Sequence, residues 1–247
     1  MGKLLCFLEK LKNLFKNIFL PPSCLHCRKK LTDDSQNLIC LKCWQKIEIN
    51  SGFFCPECGR RLYQPQKTCH LKVPFILAAV GFYQNKVLRS LLHALKYKGA
   101  KEAAGILASL MILYFQKSKL ENSLNDQQFI LIPLPLHPAK KRRRGFNQSE
   151  ILAQELLKRT KNFFLPLETK ALIKIKNNAP QMELENFEAR KENVKNCFFI
   201  VKPELIKDKN ILLLDDVFTS GATMNEAVRV LKASGAKKII GLVIAKA

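Results

Sequence analysis

The sequence predicts an α/β fold: a mostly parallel sheet with flanking helices, preceded by a small cysteine-rich ribbon. Three observations carry that prediction. Residues 211–214, ILLL, are a buried-type strand run followed by two carboxylates, a short loop of small and hydroxyl residues, and a helical period. Residues 129–138, FILIPLPLHP, open a second unit of the same order, with a basic loop in place of the acids. CxxC pairs at Cys24/Cys27, Cys40/Cys43 and Cys55/Cys58 crowd the amino-terminal third.

Along the chain, residues 3–20 come first. Leu4, Leu8, Leu11, Phe15 and Ile18 recur at helical spacing, interrupted by Lys3, Lys10, Lys12 and Lys16. This predicts a basic amphipathic helix over residues 1–20, which either packs on the body of the protein or docks on a membrane surface or a partner. It lacks the unbroken apolar stretch and small-residue cleavage site of a secretory signal, and no segment has the length of a membrane span. An intracellular, cytoplasmic chain is the expectation, so the cysteines read as metal ligands and not as a disulfide framework.

Two CxxC pairs separated by a loop let four thiolates converge tetrahedrally on one zinc ion. Cys24, Cys27, Cys40 and Cys43 form the first set. Cys55, Cys58 and Cys69 offer three ligands of a second. Position 72, where a fourth CxxC would place a cysteine, holds Lys72, so either His70 completes the set or this second ribbon is partly decayed. Such zinc is structural: with all four positions closed it cannot activate water. His26 reads as a turn residue, Cys6 and Cys197 as core residues.

The ribbon is expected to span residues 21–73 and the α/β domain residues 74–247. An apolar strand leads into Phe82. Residues 86–97 show a helical period at Val87, Leu88, Leu91, Leu92 and Leu95, and residues 101–116 form a second helix. Residues 117–128 are polar and read as a linker or turn. After the strand from Phe129 comes AKKRRRGFNQ, a basic loop, then a helix from SEILAQELLKR with Ser149 as N-cap. ALIKI and FFIV read as strands around a charged interval at 174–197, and the last helix runs from Asn225 to Ala233.

A hydrophobic fraction of 47% supports a packed core and excludes wholesale disorder. Lys+Arg 42 against Asp+Glu 20 gives +22, which attracts polyanions or reflects a lysine-rich surface. Ligands of open α/β sheets bind at the carboxyl ends of strands. There, Asp215 and Asp216 suit a pair of ribose hydroxyls or a hydrated magnesium ion. The loop Thr219, Ser220, Gly221, Ala222, Thr223 suits a phosphate at a helix N-terminus. In the basic loop, Arg144 with Gly145 suits a pyrophosphate.

The segment DDVFTSGAT resembles the phosphoribosyl-pyrophosphate (PRPP) motif of type I phosphoribosyltransferases. That resemblance implies a type I phosphoribosyltransferase-like sheet. It implies that Asp215 and Asp216 hold the ribose 2′- and 3′-hydroxyls, that residues 219–223 wrap the 5′-phosphate, and that Arg144 and Gly145 grip the pyrophosphate with magnesium bridging. It also implies a mobile loop that brings Gln181, Arg190 and Lys191 to the phosphates. The whole order is similar to the competence protein F family: PPSCLHC, GFY at 81–83, HALKYKG at 93–99, PLPLHP at 133–138, RRGFNQ at 143–148, Pro180-Gln181, Arg190-Lys191-Glu192-Asn193 and DDVFTSGAT. This implies a role in natural transformation, with single-stranded DNA, a membrane-associated helicase and a single-strand loading protein as partners. Three functions follow: a phosphoribosyltransferase with an unnamed acceptor, a nucleic-acid-binding module, or a non-catalytic PRPP sensor. Oligomeric state is open.

Overall fold

The computed structural model describes residues 23–31, 38–62, 69–70, 73–97, 101–160, 165–177 and 192–247. The amphipathic segment 1–20, Lys72, Gln181, Arg190 and Lys191 lie outside them. Elements follow in chain order: α1 (Leu41–Trp44), β1 (Phe53–Phe54), β2 (Arg61–Leu62), β3 (Ile76–Phe82), α2 (Lys86–Tyr97), α3 (Glu102–Ser118), α4 (Leu120–Gln127), β4 (Phe129–Pro133), α5 (Pro138–Arg144), α6 (Gln148–Leu157), β5 (Leu172–Lys174), β6 (Phe198–Ile200), β7 (Asn210–Phe218), α7 (Ala222–Ala233) and β8 (Ile239–Lys246).

Six strands form one sheet in the order β2-β1-β3-β8-β7-β4. The four strands from β3 to β4 are parallel, with Leu131 opposite Leu212 and Leu212 opposite Ile240. They are buried on both faces, which is why β7 and β8 read as continuous apolar runs and not as alternating ones. One face carries α2, α3, α4 and α6 through Leu91, Leu95, Met111, Leu124 and Leu152. The other carries α7 and the separate antiparallel β5–β6 pair through Ala227, Leu231, Leu172 and Phe198.

The cysteine-rich segment docks on this body. Its β1–β2 hairpin is the antiparallel edge of the main sheet, with Phe53 opposite Ala78. Asn50 donates from Nδ2 to the Ala79 carbonyl at 3.0 Å, and Tyr114 donates its hydroxyl to the Gly52 carbonyl at 2.8 Å. His26 sits 3.0 Å from the Ser90 hydroxyl on α2, so it ties the first knuckle to the body.

Two local expectations change. Residues 120–127 are a helix, α4, where a linker or turn was expected. Lys119 breaks the chain direction with a left-handed φ of 55°, and Leu120 and Leu124, one turn apart, bury the short helix against the core. The basic loop after β4 is mostly helical: α5 has Pro138 in its first turn and the His137 ring accepting from the Ala139 N–H at 3.2 Å.

Candidate functional site

β7 is longer than its apolar run. It continues through both acids because β8 keeps pairing, with Asp215 opposite Val243 and Val217 opposite Ala245. The acids are therefore inside the strand and not at its end. Their opening to one side comes from β4, whose last pair is Pro133 with Leu214. Beyond it, the flank of β7 is free to meet the first turn of α6.

Asn147, not Ser149, caps that helix. Its Oδ1 accepts the Ser149 N–H at 3.1 Å, while its Nδ2 donates to the Leu134 carbonyl at 3.1 Å. The Ser149 hydroxyl is thereby released from capping and donates to Asp215 Oδ1 at 3.1 Å. The same oxygen accepts the Asp216 N–H at 2.8 Å. Asp215 keeps partial solvent access. Burial of its carboxyl, then the charge of Asp216, push it up to about 7, against the pull of Lys96.

Asp216 is only 3% exposed and is met by Lys96, whose Nζ lies 2.7 Å from Oδ2. Burial opposes the charge on Lys96, but the carboxylates of Asp216 and Asp215 outweigh it and hold the ammonium above an ordinary lysine. Lys96 is the functional residue that sequence reasoning missed. A lysine in the last turn of a helix reads as a complement to the dipole, and only the fold brings α2 beside β7.

The loop after β7 turns at Gly221, in the left-handed region at φ 74°, and α7 starts at Ala222, earlier than the expected Asn225. Ser220 Oγ accepts the Ala222 N–H at 3.4 Å. The first N–H groups of α7 have no helical acceptor of their own and face this loop. A Cβ on Gly221 would stand 2.5 Å from Phe218 Cζ. Gly221→Ala is therefore expected to cost more than about 2 kcal/mol through backbone strain and the ring clash. Urea denaturation of the variant beside the parent checks this; an unchanged midpoint would remove the steric argument.

Arg144 directs its guanidinium to Gln148 and over the Tyr97 ring, 5.9 Å from the centroid. Gln148 precedes Ser149, so the basic helix and the acid pair are linked through the first turn of α6. Gly145 closes α5 at φ 83°, with open space around the position of a Cβ. Gln181, Arg190 and Lys191 fall outside the described residues.

The cysteines converge as two groups: Cys24, Cys27, Cys40 and Cys43, and Cys55, Cys58, Cys69 and His70, each with donor atoms within 4.8 Å of one another. Cys27 and Cys40 sulfurs lie 3.6 Å apart, Cys58 and Cys69 sulfurs 3.3 Å apart. A tetrahedral ion with sulfur at about 2.3 Å needs donor separations of about 3.8 Å, so the arrangement fits zinc. His70 Nδ1, 3.5 Å from Cys55 Sγ and 3.3 Å from Cys69 Sγ, fills the fourth direction that position 72 leaves open. The two knuckles share a backbone device. Arg28 and Gly59, each just after a CxxC, are left-handed at φ 63° and 69°, and each donates back to the first cysteine carbonyl, at 3.0 and 2.9 Å. Among the described residues no helix is long and apolar enough to cross a membrane.

Residues 15–71 match the double zinc ribbon domain and residues 142–247 the phosphoribosyl transferase domain. The chain is 28% identical over 206 residues to competence protein ComFC of Bacillus subtilis, covering 80% of this chain and 79% of that one. It is 29% identical over 222 residues to competence protein F of Haemophilus influenzae, covering 87% and 93%. It is 28% identical over 225 residues to the DNA utilization protein YhgH of Escherichia coli, covering 89% and 95%. A solved hypoxanthine phosphoribosyltransferase of Staphylococcus aureus aligns at a TM-score of 0.35 with 9% identity, over 60% of this chain and 65% of its own.

Proposed function

The chain belongs to the competence protein F family, a double zinc ribbon joined to a phosphoribosyl transferase domain, and from that premise we propose that it binds PRPP at the carboxyl end of β7 and serves the uptake or use of single-stranded DNA. The observation that carries the reading is the Asp215–Asp216 pair. Two adjacent acids on one strand, one of them held near neutrality and still open to solvent, are a costly arrangement in a folded chain. A ribose diol or a hydrated cation relieves that cost by supplying hydroxyl donors or positive charge.

In this reading Asp215 accepts a ribose hydroxyl on the oxygen that Ser149 does not use. Asp216, fixed by Lys96, supports the negative field from below. The loop Thr219–Thr223 and the N-terminus of α7 receive the 5′-phosphate through backbone N–H groups and hydroxyls. Arg144 and Gly145 stand on the pyrophosphate side, joined to the acids through α6. Magnesium, when bound, neutralises the pyrophosphate oxygens and draws charge onto the leaving group. The chain's own share of any transfer is positioning and preformed charge.

The test is calorimetry of PRPP with magnesium on zinc-loaded protein, parent beside Asp215→Ala/Asp216→Ala. Binding in the parent and its loss in a folded double variant is the expected result; a folded parent that does not bind sinks the reading. Because the ligand needs the ionised Asp215, affinity is expected to rise about tenfold between pH 6 and pH 8, with proton release below pH 7. Pyrophosphate release in the presence of candidate acceptor bases then separates a transferase from a PRPP sensor.

A further inference from the structure

We propose that Tyr97, flanked by His93 and Arg144, is a base-stacking platform for single-stranded nucleic acid, beside the acid pair. This rests on the nucleic-acid part of the proposed function and shares Arg144 with its pyrophosphate side.

The last turn of α2 divides its residues between two tasks. Leu91, Leu92 and Leu95 are buried in the core, and Lys96 reaches Asp216. Tyr97 contributes to no core cluster: it is 62% exposed, a large aromatic surface left in water. Its neighbours are cationic or aromatic. The His93 ring lies 4.9 Å from the tyrosine ring at 42°, and the Arg144 guanidinium stands 5.9 Å from its centroid.

The helix that supplies Arg144 is equally unusual. α5 has no fully buried residue, and Arg142 and Arg143 are exposed. Lys141 is neutralised by Glu150 at 2.8 Å. Arg142 and Arg143 stand in no ion pair among the described residues. α5 spans roughly 10 Å, more than one phosphate needs.

A π-face under the Arg144 guanidinium, with the exposed Arg142 and Arg143 on the same short helix, has the chemistry of a single-strand binder. Every base can stack on the ring whatever the sequence, and the arginines neutralise the adjoining phosphates. Stacking reads the face of a base and not its edges, so discrimination among bases is expected to be weak. An acidic peptide would use the arginines but gains nothing from the exposed ring beyond ordinary contact. The net charge of +22 draws any polyanion to the chain, but it does not choose a surface; the ring does.

The experiment is fluorescence anisotropy of a fluorescein-labelled oligothymidylate with the full, zinc-loaded chain. The variants are Tyr97→Ala, Tyr97→Phe and Arg142→Gln/Arg143→Gln, with thymidine monophosphate as a competitor. Tyr97→Ala is expected to weaken binding about 5- to 150-fold, the range that a lost base–aromatic stack produces, with the salt slope unchanged. Tyr97→Phe should bind as the parent does, and the double arginine variant should flatten the salt dependence. PRPP binding should persist in Arg142→Gln/Arg143→Gln. Oligonucleotide binding that is unchanged in Tyr97→Ala overturns the platform. So does competition by the monophosphate at concentrations that match the oligonucleotide. A parent that binds no oligonucleotide removes the platform and the DNA-handling part of the proposed function, but leaves the PRPP part untouched.

Discussion

Chelation of the full-length protein is expected to release two zinc ions per chain and to lower the stability of the whole molecule, not of the ribbon alone. Each cluster has a complete donor set, Cys24, Cys27, Cys40, Cys43 in one and Cys55, Cys58, Cys69, His70 in the other. Structural zinc contributes about 10–16 kcal/mol of binding free energy in ribbons of this kind. Among its described residues the regular elements are a four-residue helix and two two-residue strands, too little to replace it. The effect spreads because the ribbon has no separate core. Cys24, Ile39, Cys43 and Phe53 lie in the same cluster as Leu91, Met111 and Leu152.

Inductively coupled plasma mass spectrometry before and after chelation, with a thermal melt of each form, checks this. A chain confirmed to be free of zinc that melts as the holoprotein does would end the structural-zinc argument. The second site has its own readout: His70→Ala should release one ion and keep the other. In the cobalt-substituted protein, the spectrum of one three-thiolate, one-imidazole centre should then disappear.

That site also shows how the sequence could be read and where it stopped. Spacing named seven thiolates, because CxxC carries its geometry with it. The eighth donor was left open: Lys72 stands where a fourth CxxC would place a cysteine, and whether His70 completes the set or the second ribbon is decayed depends on a backbone path that spacing does not describe. The parallel sheet was legible in part for a similar reason: β3, β4 and β7 bury both faces, so apolar runs mark them without any knowledge of partners, whereas β8 was not read. α4 was missed because Leu120 and Leu124 are too few to stand out as a period, and polarity dominated the reading. Ser149 was assigned to a cap because serine ahead of an apolar run usually is one. Asn147 takes that place because only it can also reach the Leu134 carbonyl and pin α6 to the end of β4. The acids were found as a pattern, but their counter-charge was not, since Lys96 meets Asp216 only after four helices and three strands intervene.

That counter-charge sets the second large expected effect. Lys96→Met should destabilise the chain by about 3 kcal/mol, because it strands a carboxylate that is 3% exposed beside a second acid. Asp216→Asn should cost less, since the lysine it leaves is partly solvated, with 23% of its side chain exposed. The double variant should then be more stable than the two single losses added together, by about 1–3 kcal/mol of coupling. Urea denaturation of all four proteins measures this directly, and additivity would show that the 2.7 Å contact carries no net energy.

Asp215 gives the same network a pH signature of known sign. Its folded pKa, about 7, lies above the 3.8 of a free carboxyl, so the folded chain holds the extra proton between those values. The corresponding stability is present at the acid end of that window and is lost as pH rises toward 7, by about 1.4 kcal/mol for each pH unit at most and less with solvent screening. Asp215→Asn should abolish that slope and stabilise the protein at pH 8. It should also remove the acceptor on which ribose binding depends, so stability would be gained where function is given up. A parent whose stability is flat from pH 4 to pH 7 would mean that the acid pair is relaxed without a ligand, and the argument for a diol or a cation between these residues would go with it.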